Sequence, residues 1–533
     1  MKKQIYLASV LATAMLVAAC EGDDGTNGID GMDGMDGADG LNSLVATRDV
    51  PKGDPICLGG GLALDSGLDT NRNDVLDADE VTATEYLECE ATPTVRALHA
   101  SPNAPAVNIW VNGAVALSGV DYAQGSGFVP VVEENNIQVE AITPSGNAIV
   151  IDADLPLDYN TEATVIAVDN VPAIAPLLIA NPSDSRITDG YFRAQVVHAA
   201  PAAPAVDVYV TPLDADLAGS APVNGVGTPL AFQQFTEQLE VPAGAYQIRI
   251  TAGGDPSAVV YDTGEEIPLA AGADLMIVAV ENTGPGASPV QLIVLDGTDA
   301  LPLNDANTPA SVVAVHLSPD APAVDILADV NGTAEDEAIP LVRNVAFTEF
   351  CELDSVPAPG DYTLNVVANS DNSIVAHQFP LMVEEGTEAV AIVSGFFTSG
   401  DPAITELPLT DGITRSIITE TKLRITHASP STGPVDLYLV PAGTDIAGED
   451  PTIPDVPFGA DTTQLSVPND VYDAIVTPAG TKTAAISLTG LDFSAGGAVI
   501  DVIARDPATD GSEGALPLPV VIDHSAVPVC PAP

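Results

Sequence analysis

Between residues 69 and 80 the chain reads Asp69-Thr-Asn71-Arg-Asn73-Asp74-Val75-Leu76-Asp77-Ala-Asp-Glu80. Taken as a twelve-residue loop, it puts side-chain oxygens of Asp69, Asn71, Asn73 and Asp77 at positions 1, 3, 5 and 9, the Val75 carbonyl at 7 and Glu80 at 12. Calcium takes about six to eight hard oxygens, and this spacing turns them toward one centre. Two features depart from the pattern. Position 6 is Asp74 where the sharp turn prefers glycine, although Asp tolerates positive φ better than most residues. The preceding segment, Gly59 to Gly67, is not helical in composition. The readings are a calcium site of the weak extracellular class, with a dissociation constant on the order of 10⁻⁴ to 10⁻³ M, or an acidic surface turn.

A second set of reactive residues recurs along the chain. The segment from Val95 to Val111, with the run His99-Ala-Ser-Pro-Asn-Ala-Pro, returns from Val196, Val313 and Leu423, placing histidines at His99, His198, His316 and His427. Each lies in its own copy, so the four cannot converge on one metal. Within a copy the nearest carboxylate in sequence is the strand aspartate nine residues on, Asp207, Asp325 or Asp436; copy 1 offers Asn108. A lone histidine and one carboxylate do not complete a catalytic set. A His-Asp hydrogen bond pinning the proline kink is therefore expected. Trp110, Tyr209 and Tyr438 occupy one position on the outward face of the second strand, where an aromatic stacks on sugar rings or makes an interdomain or second-layer contact; Leu327 fills that slot in copy 3, which favours the contact.

The elements that carry these residues are strands. Val107, Ile109 and Val111 alternate with Asn108 and Trp110, and the later copies repeat the period of two that marks a half-buried strand. Each copy continues with a Val-Pro turn, a Tyr-bearing strand such as Tyr246-Gln-Ile-Arg-Ile, and two apolar strands such as Leu275-Met-Ile-Val-Ala-Val280. The histidine spacings of 99, 118 and 111 residues suit a sandwich domain that closes its own core and are too long for a solenoid. The expected fold is all-β: four tandem antiparallel β-sandwich domains, immunoglobulin-like, after a small disulfide-stapled module.

The pattern His-Ala-Ser-Pro-x-Ala-Pro-x-Val-Asp-x-Tyr-Val resembles the DUF4397 domain, a family of unknown function found in tandem on secreted and lipid-anchored bacterial proteins. The resemblance covers about 430 of the 533 residues. Asn108, Leu317 and Thr432-Gly433 depart from it. Residues 43–90 resemble the small DUF7151 domain. The resulting divisions are a signal peptide 1–19, a lipidated cysteine and tether 20–42, the module 43–90, and repeats at 91–186, 187–304, 305–413 and 414–533.

The remaining signals concern location. Met1-Lys-Lys, an apolar stretch from Ile5 to Val17, and Val17-Ala-Ala-Cys20 resemble a lipoprotein signal, which implies lipidation at Cys20; an ordinary secretory signal is the alternative. Glu21 follows in place of the aspartate associated with inner-membrane retention, which points to the outer membrane and the cell surface. Glycine then recurs every third residue from Gly22 to Gly40 without proline, which reads as an acidic tether more readily than as a collagen helix. Export permits disulfides. Cys57 and Cys89 flank the small module and are expected to pair, whereas a bond between Cys351 and Cys530 is left open.

With 75 Asp and Glu against 15 Lys and Arg, a formal charge of −60 excludes nucleic acid and an anionic membrane surface as partners, so membrane association is by lipid anchor only. No Gly-x-Ser-x-Gly, His-Glu-x-x-His or phosphate loop occurs. The expected function is non-catalytic: attachment, binding of a glycan or surface protein, or structural spacing at the cell envelope. The competing class is an envelope hydrolase with a site in one divergent repeat.

Overall fold

A computed structural model describes residues 40–183, 185–330, 339–398, 401–409, 415–509 and 511–531. The signal peptide, Cys20 and the glycine-repeat segment up to residue 39 lie outside the described residues. Contacts divide the described chain into two units, one holding residues 40–50 and Gly61–Glu88, the other holding Pro51–Gly60 and everything from Cys89 onward.

The first unit is a three-stranded antiparallel sheet of β1 (Ser43–Val50), β2 (Gly61–Leu68) and β3 (Val81–Cys89) in that order. Its acidic loop crosses between β2 and β3. Gly67 has no room for a side chain, because a Cβ there would meet the Glu80 carbonyl oxygen at 2.0 Å. The Asp65 carboxylate is buried and takes bonds from Arg48 Nε at 2.8 Å and Thr84 Oγ1 at 2.7 Å.

The second unit begins with a short loop bonded by Cys57 to Cys89. Lys52 pairs with Glu133, and Gly59 lies against the Tyr159 ring. Repeat 1 follows as β4 (Thr94–His99), β5 (Val107–Val111), β6 (Ala114–Val120), β7 (Val129–Pro130), β8 (Glu134–Ala141), β9 (Ala148–Pro156), β10 (Thr161–Val168) and β11 (Ala175–Pro182). One sheet has the order β11-β10-β4-β7 and the other β6-β5-β8-β9. The first strand thus sits inside its sheet and runs parallel to β10, Thr94 opposite Glu162 through His99 opposite Ala167. Repeats 3 and 4 reproduce the layout strand for strand, and repeat 2 widens its first sheet to five strands. Tyr246 and Tyr362, from the Tyr-bearing strands, each bond an upstream carbonyl, Pro242 and Pro357.

Each sandwich has its own interior. Val95, Val107, Ile109, Val139 and Ile151 fill that of repeat 1, and Leu423, Leu437, Val476 and Val502 that of repeat 4. A further apolar layer was not anticipated from the repeat length. Leu98, Ile166 and Ile179 of repeat 1 pack on Val197, Met276, Val278 and Ile293 of repeat 2. Val313, Val315, Val390 and Ile392 of repeat 3 pack likewise on Ile503, Val520 and Ile522 of repeat 4. The first sheets are therefore covered on both faces, and the repeats form two pairs with shared cores. The physical reason is visible in the strands: Ser311-Val-Val-Ala-Val-His-Leu317 is buried at every position, and its unbroken apolar run belongs to a sheet covered on both sides. Each copy keeps the interior expected of it, and the shared layer joins the copies in pairs.

The chain also loops back. Arg415, at the start of repeat 4, donates to the Pro102 carbonyl at 3.0 Å and to Asp121, and its guanidinium carbon lies 5.2 Å from the Tyr122 ring centre of repeat 1. Cys351 of repeat 3 is bonded to Cys530 of the tail, which joins the sheet edge through Cys530 N–H to the Glu352 carbonyl at 2.8 Å.

Leu98 is 2% exposed and contributes nothing to the interior of its own sandwich. Leu98→Ala should therefore cost about 2–5 kcal/mol in chemical denaturation of the full chain, with the transitions of repeats 1 and 2 moving together. A loss under about 0.5 kcal/mol would show that the shared layer contributes little.

Candidate functional site

The motif histidines sit at the ends of the first strands, 0–2% exposed. Their partners are backbone groups and not the strand aspartates, which corrects the expectation of a His-Asp bond. His99 Nε2 lies 3.0 Å from the Pro105 carbonyl, and Ser101 N–H approaches Nδ1 at 3.3 Å. A carbonyl can only accept and an amide N–H only donate, so the ring is neutral with its proton on Nε2. The other copies use the carbonyls of Pro204, Pro322 and Gly433 at 2.9, 3.1 and 3.1 Å and the amides of Ala200, Ser318 and Ser429. Each ring closes the six-residue proline loop behind it. Substitution of proline by Thr432-Gly433 in copy 4 is harmless to this bond, since only a carbonyl is required.

An aromatic edge completes the enclosure: Tyr122, Phe232, Phe347 and Phe458 meet the four rings at centroid distances of 6.2–6.4 Å. The residue after each aromatic, Ala123, Gln233, Thr348 or Gly459, takes a left-handed conformation and bonds back to the histidine carbonyl. The aromatic positions carry a sequence signal, an apolar residue two positions before in Val120, Leu230, Val345 and Val456. It is too short to stand out without the structure.

The strand aspartates have a separate task. In copies 1, 3 and 4 the second strand meets its neighbour at a bulge, and the amide there sits on a left-handed residue: Gly119, Asn344 or Asp455. Asn108, Asp325 and Asp436 accept that amide at 2.9–3.1 Å. Asp436 also takes Gly480 N–H at 2.8 Å, and Asp207 takes Gly254 N–H at 2.7 Å. Asn108 keeps the acceptor and turns its amide nitrogen to Glu140 Oε2 at 2.8 Å. An acceptor oxygen is what the position demands, so Asn serves as well as Asp.

At the aromatic position the second-layer contact is what copies 2 and 4 show. Tyr209 is 4% and Tyr438 1% exposed. In copies 2 and 4 the strand leads into a short 3₁₀ turn, Leu217–Gly219 or Ile446–Gly448, whose Leu217 or Ile446 is buried; Tyr438 packs directly on Ile446. Neither ring can stack on a ligand. Copy 1 replaces the turn with a two-residue Asn112-Gly113 hairpin, both residues left-handed, and Trp110 stays half-buried.

The acidic loop is held by its own carboxylates. Asp69 and Glu80 are 1% and 4% exposed. Asp69 accepts the amides of Asn73 and Asp74 at 3.0 and 2.9 Å, while Glu80 accepts those of Thr70, Asn71 and Asp77 and the Thr70 hydroxyl. These bonds, led by the Thr70 hydroxyl, keep the Glu80 carboxyl below the usual range. Asp74 has φ +60°, so the turn forms without glycine. Asn71 Nδ2 and Asn73 Nδ2 both donate to Asp77 Oδ2, at 2.7 and 2.9 Å, and the Val75 side chain is exposed. Among the described residues no three His, Cys, Asp or Glu side chains are grouped to hold a metal ion. Asp74 forms the turn at position 6, and the amide nitrogens of Asn71 and Asn73, not their oxygens, face Asp77.

Burial drives the His99 imidazole down to about 4. Its folded pKa lies below its unfolded value near 6.5, so the unfolded chain takes up the proton first. Stability should then fall as pH drops from about 6.5 toward 4, by on the order of 3 kcal/mol from this ring. Denaturant titrations at several pH values should show a shallower slope for His99→Gln; an equal slope would contradict the buried neutral ring.

Three successive segments, residues 93–209, 212–327 and 310–438, match the family model of DUF4397, a domain of unknown function. The first and third matches start at a motif strand and the second just past the second strand of copy 2, and each ends in the second strand of the following copy, so all three cross from one copy into the next. Residues 42–89 match DUF7151, another domain of unknown function. No curated protein matches the chain. Among solved structures, a CBM26 carbohydrate-binding module of Eubacterium rectale Amy13K, in complex with maltoheptaose, aligns at 12% identity and TM-score 0.15, over 40% of this chain and 98% of that one. A likeness of that strength bears on neither fold nor function. With the family model spanning well over half its length, the chain belongs to the DUF4397 family.

Proposed function

We propose that this chain is a non-catalytic lipoprotein of the outer membrane, anchored through Cys20 and presenting a β-sandwich array at the cell surface for attachment, ligand binding or spacing. The observation that carries the non-catalytic reading is the use of every motif histidine: both ring nitrogens are engaged by backbone groups, and none is left to move a proton for a substrate. The lipobox-like Val17-Ala-Ala-Cys20 and the glycine tether support the anchor. Among the described residues no helix is long and apolar enough to cross a membrane. The charge of −60 favours a solvated body held off anionic lipid.

Calcium belongs to this reading as a stabiliser of the acidic loop, with Asp69, Asn71, Asn73, the Val75 carbonyl, Asp77 and Glu80 as its ligands. Its contribution would be to replace the bonds from the Asn71 and Asn73 amides to Asp77 with oxygen coordination.

Protease added to intact cells should remove the array, while a Cys20→Ser form should be released from the membrane fraction. Protection of the wild type until the outer membrane is opened would exclude a surface role. Millimolar calcium should slow amide exchange across residues 69–80 of the full chain, and Asp69→Asn should abolish the effect; identical exchange with calcium and with chelator would remove the metal.

A further inference from the structure

The face of repeat 1 that packs on repeat 2 carries a cation. Arg96, three residues before His99, is 6% exposed, donates from Nε to Thr164 Oγ1 at 2.9 Å and stacks on Phe128 at 4.4 Å from the ring centre. Its terminal nitrogens have no hydrogen-bond partner among the described residues. Arg96 lines a cleft of about 210 Å³ in the seam, together with Glu162, Asn181, Gln195, Gln238, Asp274 and Asp296. A guanidinium so buried needs acceptors for its remaining N–H groups, and what fills the cleft must supply them.

The other pair shows the self-sufficient alternative. Arg424 occupies the same place in repeat 4, is fully buried, and binds Asp501 through two bonds of 2.8 Å; His524 Nε2 joins the same carboxylate at 2.8 Å. Across the parallel pair Arg424 faces Asp501, whereas Arg96 faces Thr164. Repeat 1 thus lacks the carboxylate that would satisfy its arginine. Asp274, across the seam, is already engaged by Arg193 at 3.0 Å from Nε.

The lining sets the ligand class. An anion would satisfy Arg96 but would meet Glu162, Asp274 and Asp296. A metal ion would meet the arginine, and the carboxylates are not grouped to hold one. Hydroxyls both accept and donate, so adjacent hydroxyls can take N–H from Arg96 and give O–H to Glu162, whose carboxyl is raised by burial and by Asp274. The volume falls below the roughly 300 Å³ at which drug-sized sites begin, which suits one sugar ring and not a chain. We propose that the seam between repeats 1 and 2 binds a single uncharged sugar residue, held by Arg96 and Glu162 on one side and Gln238 and Asp274 on the other.

This rests on the reading of the array as a binding protein and can fail apart from it. The full chain is titrated calorimetrically with D-glucose, D-galactose, D-mannose and N-acetyl-D-glucosamine. At least one should bind at millimolar concentration or below, and Arg96→Gln and Glu162→Gln should each weaken it about tenfold or more, with unchanged circular dichroism. Should Arg96→Gln misfold, Glu162→Gln and Gln238→Ala decide the matter. Binding that ignores all these variants would overturn the seam site while leaving a binding protein. No binding of the four sugars at millimolar concentration would overturn the site and the glycan version of the function together, leaving the spacer.

Discussion

A β-sheet with two apolar faces has to be covered twice, and that requirement organises this molecule. One face of each first sheet is closed by the second sheet of its own sandwich, and the other by the first sheet of a neighbour. Water cannot serve as the second cover, because residues such as Leu98, Val197, Val315 and Ile503 are at most 3% exposed in the paired state. The covalent repeat is one sandwich; the packed unit is two.

Pairing buries the motif histidines, whose rings are tied to backbone groups, and it also buries the hydroxyls of Thr94, Thr421 and Thr426 on the first strands without a partner among the described residues. The buried histidine rings hold the loop carbonyls and amides behind the first strands, while the aspartates of the second strands hold the amides of exposed left-handed corners. What looks in the sequence like a chemically armed motif is a set of closures for the loops that cap each sheet. The same logic gives weight to the exception at Arg96, where an arginine beside a covered sheet lacks the carboxylate that its equivalent in repeat 4 possesses.

The sandwich class and the repeat were legible because alternation in Val107, Ile109 and Val111 reports one buried face directly. The left-handed turn at Asp74 was legible from the tolerance of Asp for positive φ. The pairing was also written in the chain, in runs such as Leu275-Met-Ile-Val-Ala-Val280, but an unbroken apolar strand was read as the closing strand of a domain instead of one with two covered faces. The histidine partner was missed because a backbone carbonyl carries no residue identity: nothing in the letters between His99 and Pro105 distinguishes a ring bonded to a main chain from one bonded to Asn108. Alternation assigns Tyr209 and Tyr438 to the outward face but cannot say what covers it; the 3₁₀ turn that does so follows later in the chain.

The bond between Cys351 and Cys530 spans 179 residues and encloses the whole of repeat 4. Tension applied at the tail would pass from Cys530 straight into repeat 3, bypassing the last sandwich like a shunt around a circuit element. A single cut within repeat 4 would likewise open a ring without freeing a fragment. The last repeat is thus held inside a covalent ring that closes on its neighbour.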